Sequence, residues 1–101
     1  MKQTYQMFFG RNTTDGYVTD EQWDLFRDTV LSPTFASYTV ANCTGVWKGD
    51  EECTKYVTVS TKHREKVIDV CKAYANVYNQ DAVGLLIGDP MSFVTKLSEV
   101  Y

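Results

Sequence analysis

The stretch 38–61, YTVANCTGVWKGDEECTKYVTVST, constrains the fold more than any other part of the chain. Two runs rich in valine, threonine and aromatic residues lie on either side of a break at residues 48–51, KGDE. β-Branched and aromatic side chains pack well on a pleated surface, and the Gly-Asp pair in the break favours chain reversal. The pattern therefore predicts a β-hairpin that the other elements cover or extend.

A strand and a helix are predicted before the hairpin. Thr4 to Phe9 alternate as a strand does, and the Gly/Asn-containing residues after them have turn chemistry. Thr19 is a good helix N-cap, because Gln22 three residues later completes a capping box. Hydrophobic residues then recur at helical spacing. We expect Ser32-Pro33 to end this helix, since a residue before proline avoids the helical region.

A helix and a strand are also predicted after the hairpin. Apolar residues at helical spacing indicate a second helix from about Lys62 to Tyr78. The run Ala82 to Ile87, AVGLLI, is continuously apolar apart from its glycine, which is typical of a strand covered on both faces. The tail from residue 90 fits either a third helix or a further strand, and propensity does not decide between them.

The predicted order is strand, helix, strand, strand, helix, strand. This order is typical of the ferredoxin-like split βαβ arrangement, an α+β fold with two helices on one face of an antiparallel sheet. We expect a single domain over residues 1–101, because a chain of 101 residues with 44% hydrophobic content can bury one core.

Charge and hydropathy exclude several classes of partner. The net charge is −3, and the largest basic cluster is Lys62-His63-Arg64, so we expect no nucleic acid partner. No apolar run approaches the roughly 20 residues of a spanning helix, so we expect no membrane partner. The start, MKQTYQMFFGRN, has no long apolar region of a secretory signal, and a cytoplasmic location is therefore expected.

The cysteines do not indicate a metal site. Cys43, Cys53 and Cys71 form no CxxC pair, so the usual spacing of zinc ligands is missing. We expect three reduced thiols, two of them half-buried, and neither a metal nor another cofactor.

Short motifs along nearly the whole chain resemble the pattern of a family of small, functionally uncharacterised bacterial and phage proteins. The resemblance implies a compact α+β domain with a strand near its end, and it supplies no activity and no catalytic residues. Bacterial members often carry an export or lipoprotein signal, so its lack at this start suits a cytoplasmic or phage-encoded form. The motifs are Phe9-Gly10-Arg11-Asn12, Val18-Thr19, Glu21-Gln22-Trp23, Phe26, Pro33-Thr34-Phe35, Thr39-Val40, Gly45-Val46-Trp47 and Gln80-Asp81-Ala82-Val83.

A candidate ligand site follows the first strand. Arg11 and Asn12 occupy a Gly-Arg-Asn turn, where a guanidinium fork can bind phosphate or carboxylate. Tyr38 and Trp47 of the hairpin are candidates to line the same site by stacking. The alternative for Arg11 is an ion pair with Asp15 or Asp20, and the alternative for the two aromatic residues is a place in the core or an interface.

The acid–base candidates are weaker. His63 is the only histidine and lies in a charged run that opens a helix, and Glu51 and Glu52 lie beside the hairpin turn. Both places are usually solvated, so we predict no catalytic residue.

Composition leads to an expectation about assembly and function. Seven tyrosines exceed what so small a core can bury, and such aromatic residues are enriched at interfaces, so we expect a homo-oligomer, most simply a dimer. The favoured function is a non-catalytic protein that binds a small anionic, nucleotide-like ligand, in a phage setting to sequester a host defence signal. The alternatives are an adaptor or inhibitor of a host protein, and a small dimeric enzyme resembling monooxygenases or isomerases, with His63 or Tyr38 as acid or base.

Overall fold

The computed structural model describes residues 1–92, together with 94 and 96. Its helices and strands follow the predicted order, with two short additions. The strands are β1 (Gln3–Gly10), β2 (Asn12–Thr13), β3 (Gly16–Tyr17), β4 (Thr39–Trp47), β5 (Asp50–Thr61) and β6 (Gly84–Gly88). The helices are α1 (Asp20–Phe26), α2 (Ser32–Thr34) and α3 (Arg64–Val77), with a π-helical segment, Arg27–Leu31, joining α1 to α2.

Four of the strands form one sheet in the order β4-β5-β1-β6, and every neighbouring pair is antiparallel. The short strands β2 and β3 pair with each other as a separate two-stranded sheet. With the continuous helical stretch 20–34 and α3, this confirms the prediction of an α+β protein with an antiparallel sheet and two helices.

The core lies between the helices and one face of the sheet. Tyr5, Met7 and Phe9 alternate along β1 and are buried, and β5 adds Val57 and Val59 in register with them. The helices contribute the remaining large side chains. An aromatic cluster lies at the centre, in which Phe9 contacts Trp23, Phe26 and Tyr74 with ring centroids 4.8–5.7 Å apart. Burial of these rings is the main source of stability that fixes the helices on this face.

The hairpin forms as predicted, with a two-residue turn. Lys48 and Gly49 have φ angles of 50° and 86°, so both lie in the left-handed region that matches the twist of a tight hairpin. The register continues without a bulge from Thr39 opposite Thr58 to Trp47 opposite Asp50. Beyond the end of β1 the hairpin tip pairs with itself and is bonded to the Gly10–Asn12 segment.

The predicted start of the first helix is confirmed, whereas its predicted end is wrong. The Thr19 side chain accepts a hydrogen bond from the Gln22 backbone, and the Gln22 side chain accepts one from the Thr19 backbone. Ser32, however, is helical, and the helix continues through Pro33 to Thr34. The missing Pro33 N–H removes one helical hydrogen bond, and the pattern resumes where the Phe35 N–H donates to the Leu31 carbonyl.

The prediction that Ala82 to Ile87 forms a strand covered on both faces is also wrong in part. Among the described strands β6 is an edge strand that pairs with β1, and Leu86 and Ile87 are exposed. Its apolar run therefore reflects a partly open surface rather than a central position. The predicted alternatives for the tail lie mostly outside the described residues.

No helix within residues 1–92 is long and apolar enough to cross a membrane. The three cysteines are free thiols, and only Cys71 is half-buried, whereas Cys43 and Cys53 are exposed. The expectation of two half-buried thiols is thus wrong for one of them, because the hairpin tip extends beyond the layer that would cover it.

Replacing Thr19 with alanine should lower the free energy of unfolding by about 1 kcal/mol, because the first turn of α1 loses its cap. Thr29→Ala is the matched control. The Thr29 hydroxyl donates to the Leu25 carbonyl on the exposed helix surface, so its loss should cost less than about 0.5 kcal/mol. Urea unfolding of both variants checks the difference, and equal effects would show that the cap contributes nothing special.

The thiols should react in a fixed order with iodoacetamide. Burial raises the pKa of Cys71 to about 11, so at mildly alkaline pH little of it is the reactive thiolate. Cys43 and Cys53 should therefore be alkylated first, and mass spectrometry of digested protein would report the order. Urea-unfolded protein is the control, in which all three should react together. Early modification of Cys71 in the folded protein would contradict its placement against the core.

Candidate functional site

Arg11 is held by its own loop. Its backbone N–H donates to the Cys53 carbonyl, its Nε donates to the Val18 carbonyl at 2.8 Å, and its Nη2 lies 2.8 Å from Asp20 Oδ1. The side chain is only 13% exposed. Of the interpretations open from the sequence, the structure therefore contains the ion pair with Asp20, which engages Nη2 while Nε is bound to Val18.

Asn12 ties three segments together. Its backbone N–H donates to Glu52 Oε2 at 3.0 Å, and its side-chain amide donates to the Glu51 carbonyl at 3.0 Å. Its own carbonyl accepts from Gln80 Nε2 at 2.6 Å. The turn after β1 is therefore fixed both to the hairpin and to the loop that follows α3.

Gly10 makes room for a carboxylate. A Cβ atom added there would lie 2.5 Å from Glu52 Oε1, so the glutamate side chain rests directly on the glycine backbone. On the other side, the Tyr74 hydroxyl donates to the Gly10 carbonyl at 2.7 Å. Burial raises the pKa of Tyr74 far above its usual range, so this donor keeps its proton at any physiological pH.

The sheet has one face that none of the described helices covers, and we call it the open face. Its central rows carry no charged side chain. The Phe8 and Tyr56 rings pack against each other with centroids 4.9 Å apart, and Gln6 donates to the Tyr56 hydroxyl. By register the central rows consist of Thr4, Gln6, Phe8, Thr39, Ala41, Tyr56, Thr58, Ser60, Gly84, Leu86 and Gly88.

A cleft of about 510 Å³ occupies one end of the open face, and we call it the end cleft. Phe8 and Gly10 belong to its floor, the hairpin with Trp47 forms one wall, and the loops at residues 12–14 and 79–82 form the other. The charged residues among its described lining are all acidic: Asp50, Glu52 and Asp81. Lys48 lies at the rim, with its ammonium 3.5 Å from Asp81 Oδ2.

The structure brings only two of the four predicted site residues together. Asn12 and Trp47 both line the end cleft. Arg11 lines a separate pocket of about 560 Å³ with Asp20, and Tyr38 lies beside the first helix, 2.7 Å from the Ser32 hydroxyl. The predicted ligand set is therefore divided among three places.

Sequence reasoning missed Glu52 and Phe8 as parts of the cleft. Glu52 was expected to be a solvated turn residue, yet it is half-buried and accepts the Asn12 N–H. The signal was the glycine before Arg11, which indicates a close approach but not which side chain makes it. His63 and Glu51 do lie at the surface as expected, with His63 Nδ1 3.6 Å from Glu65 Oε1.

A comparison with protein-family models identifies the group to which these motifs belong. The model of the family described as protein of unknown function, DUF3574, matches residues 4–92. The chain belongs to this family. The resemblance to an uncharacterised family is thereby confirmed. A search of curated proteins found no match.

The structure gives the Gly-Arg-Asn motif of this DUF3574 member a structural role. Gly10 accommodates the Glu52 carboxylate, Arg11 pairs with Asp20, and Asn12 joins the hairpin to the loop after α3. All of these contacts lie within the chain. Gly10 and Asn12 of the motif therefore help to shape the end cleft.

The packing of Glu52 on Gly10 can be measured by a double-mutant cycle. Gly10→Ala should displace the flexible carboxylate and break its bond to the Asn12 N–H, which should cost about 1 kcal/mol of unfolding free energy. In a Glu52→Ala background the same change meets no carboxylate and should cost little. Urea unfolding of the four proteins gives the coupling. Additive effects would mean that the carboxylate does not rest on this glycine.

Proposed function

We propose that the protein is a small non-catalytic binding protein that acts as a homodimer, with two copies pairing through their open faces. The single observation that carries this proposal is the composition of the open face. Its central rows combine the Phe8–Tyr56 pair with Leu86, which is 56% exposed, and contain no charge. Depletion of charge with enrichment of aromatic residues is typical of the core of an interface.

The strand order supports a finer description of the fold as ferredoxin-like. β1 and β4 both run antiparallel to β5, so they are parallel to each other with β5 between them, and the first helix connects them. In the same way β5 and β6 are parallel, separated by β1 and connected by α3. Two interleaved split βαβ units define that arrangement.

The end cleft is the proposed binding site. It opens onto the same face of the sheet, so a second copy seated on the open face would help to enclose whatever the cleft holds. Its volume of about 510 Å³ suits a small molecule. An anionic ligand beside Arg11, as expected from the sequence, gains less support, because Asp20 already neutralises that guanidinium and the cleft is lined by carboxylates.

Light scattering coupled to size-exclusion chromatography should give twice the chain mass of 11.5 kDa for the wild-type protein at micromolar concentration. Leu86→Glu should convert it to a monomer, because the change introduces an unpaired charge within the proposed interface. Leu86 is on an edge strand, so the fold should survive, and circular dichroism checks this.

Leu25→Glu is the matched control. Leu25 is 60% exposed on α1, on the other side of the molecule, so this variant should remain a dimer. A wild-type protein with the mass of one chain, or two variants that dissociate equally, would rule out pairing through the open face.

A further inference from the structure

We infer that the end cleft binds a small organic cation, a primary amine carried on an apolar body. This inference deepens the proposed binding function and rests on it. Three features carry it: an oriented carboxylate with free acceptor capacity, an ammonium group of the chain itself already at the rim, and aromatic side chains that line the same cleft.

Glu52 is an oriented carboxylate. The backbone of Gly10 supports it, and the Asn12 N–H binds Oε2 at 3.0 Å. Among the described residues no hydrogen-bond donor or cation contacts Oε1, and an ionised carboxylate has room for several more donors. The group is half-buried in the wall of a cavity, where a charge-assisted bond to an ammonium is stronger than in open solvent.

Lys48 shows where a cation is accommodated. Its ammonium lies 5.7 Å from the centroid of the Trp47 ring and 3.5 Å from Asp81 Oδ2, so it joins the two walls of the cleft. The side chains of Lys48 and Asp81 are 74% and 70% exposed, and such surface pairs contribute little stability. A ligand amine can therefore replace the Lys48 ammonium at a small cost in free energy. It would then contact the Trp47 ring and the Asp81 carboxylate, and would also bind the Glu52 carboxylate.

Charge selects the class of ligand. The described lining carries Asp50, Glu52 and Asp81 against the single lysine at the rim, and the whole chain is also acidic, with a net charge of −3. This field attracts cations and repels anions. The described residues contain no group of three histidine, cysteine or acidic side chains that could hold a metal ion, so the favoured cation is organic. The apolar surface of Phe8 and Trp47 favours a ligand with an apolar body.

Isothermal titration with three matched probes tests the charge preference. The probes are 2-phenylethylamine, 2-phenylethanol and 3-phenylpropionate, which share a phenyl ring on a short chain and differ in charge. We expect the amine to bind at least about tenfold more tightly than the alcohol, as one charge-assisted hydrogen bond allows, and the carboxylate not to bind. Added salt should weaken the amine alone.

Variants assign the binding to this cleft. Glu52→Gln should weaken amine binding about tenfold, and its amide oxygen can still accept the Asn12 N–H, so the fold is kept. Lys48→Gln should strengthen binding a few-fold, because it removes the competing ammonium. Glu65→Gln, the same substitution at an exposed position of α3, should change nothing. Thermal unfolding of each variant checks that the fold is intact.

The outcomes separate this inference from the proposed function. If the protein is a dimer but binds none of the probes, or binds the alcohol as tightly as the amine, the end cleft does not select an organic cation. Pairing through the open face would be unaffected by that result. Preferential binding of 3-phenylpropionate, or amine binding unchanged in Glu52→Gln, also overturns the cation assignment. If the protein is a monomer that binds the amine, and Glu52→Gln weakens that binding as predicted, amine binding in the end cleft is supported and the proposed dimer is wrong.

Discussion

The rest of the structure depends on the way in which the chain leaves the sheet at the end of β1. The regular pairing of β1 with β5 ends there, and the backbone groups of Gly10, Arg11 and Asn12 bind to the Tyr74 side chain and to residues 52–53 of β5. The Tyr74 hydroxyl donates a hydrogen bond to the Gly10 carbonyl. The Arg11 N–H donates to the Cys53 carbonyl, and the Asn12 N–H donates to the Glu52 carboxylate. Polar backbone groups near a core need hydrogen-bond partners. These bonds therefore fix the positions of α3 and of the hairpin tip relative to the turn at residues 10–12.

This junction links the core to the cleft. Tyr74 belongs to the aromatic cluster with Phe9 and Phe26, and its hydroxyl reaches the turn that supports Glu52. Burial of rings on one face of the sheet therefore positions a carboxylate at the end of the other face. A rigid scaffold of this kind is what a binding site needs in order to hold its polar groups in place before a ligand arrives.

Local chemistry in the sequence was sufficient to predict most of the elements. The hairpin followed from its β-branched residues and the glycine in its turn, and the start of α1 followed from the reciprocal pairing of Thr19 with Gln22. The end of that helix did not follow, because the rule for Ser32 before proline describes a preference that packing of Leu31 and Phe35 overrides.

The site was harder to predict because it depends on pairs far apart in the sequence. Local sequence does not reveal that Asp20 neutralises Arg11 or that Gln80 binds Asn12. It also does not reveal that Glu52 packs on Gly10, which is 42 positions away in the sequence. The sequence pattern of an arginine after a glycine is the same whether the arginine binds a ligand or makes contacts within the fold. Trp47 was predicted because an aromatic side chain on the hairpin can stack on a ligand, whereas Phe8 was hidden in the alternation of β1.

The π-helical segment Arg27–Leu31 has a consequence for how this chain can change length. Its wider turn, in which the Ser32 N–H reaches back to the Arg27 carbonyl, accommodates one more residue than an α-helix would over the same rise. Loss of a single residue there would restore regular α-helical winding, and the buried aromatic residues on either side, Phe26 and Phe35, would keep their positions in the core. The segment is thus a place where the loss of one residue can be absorbed by a change of helical winding.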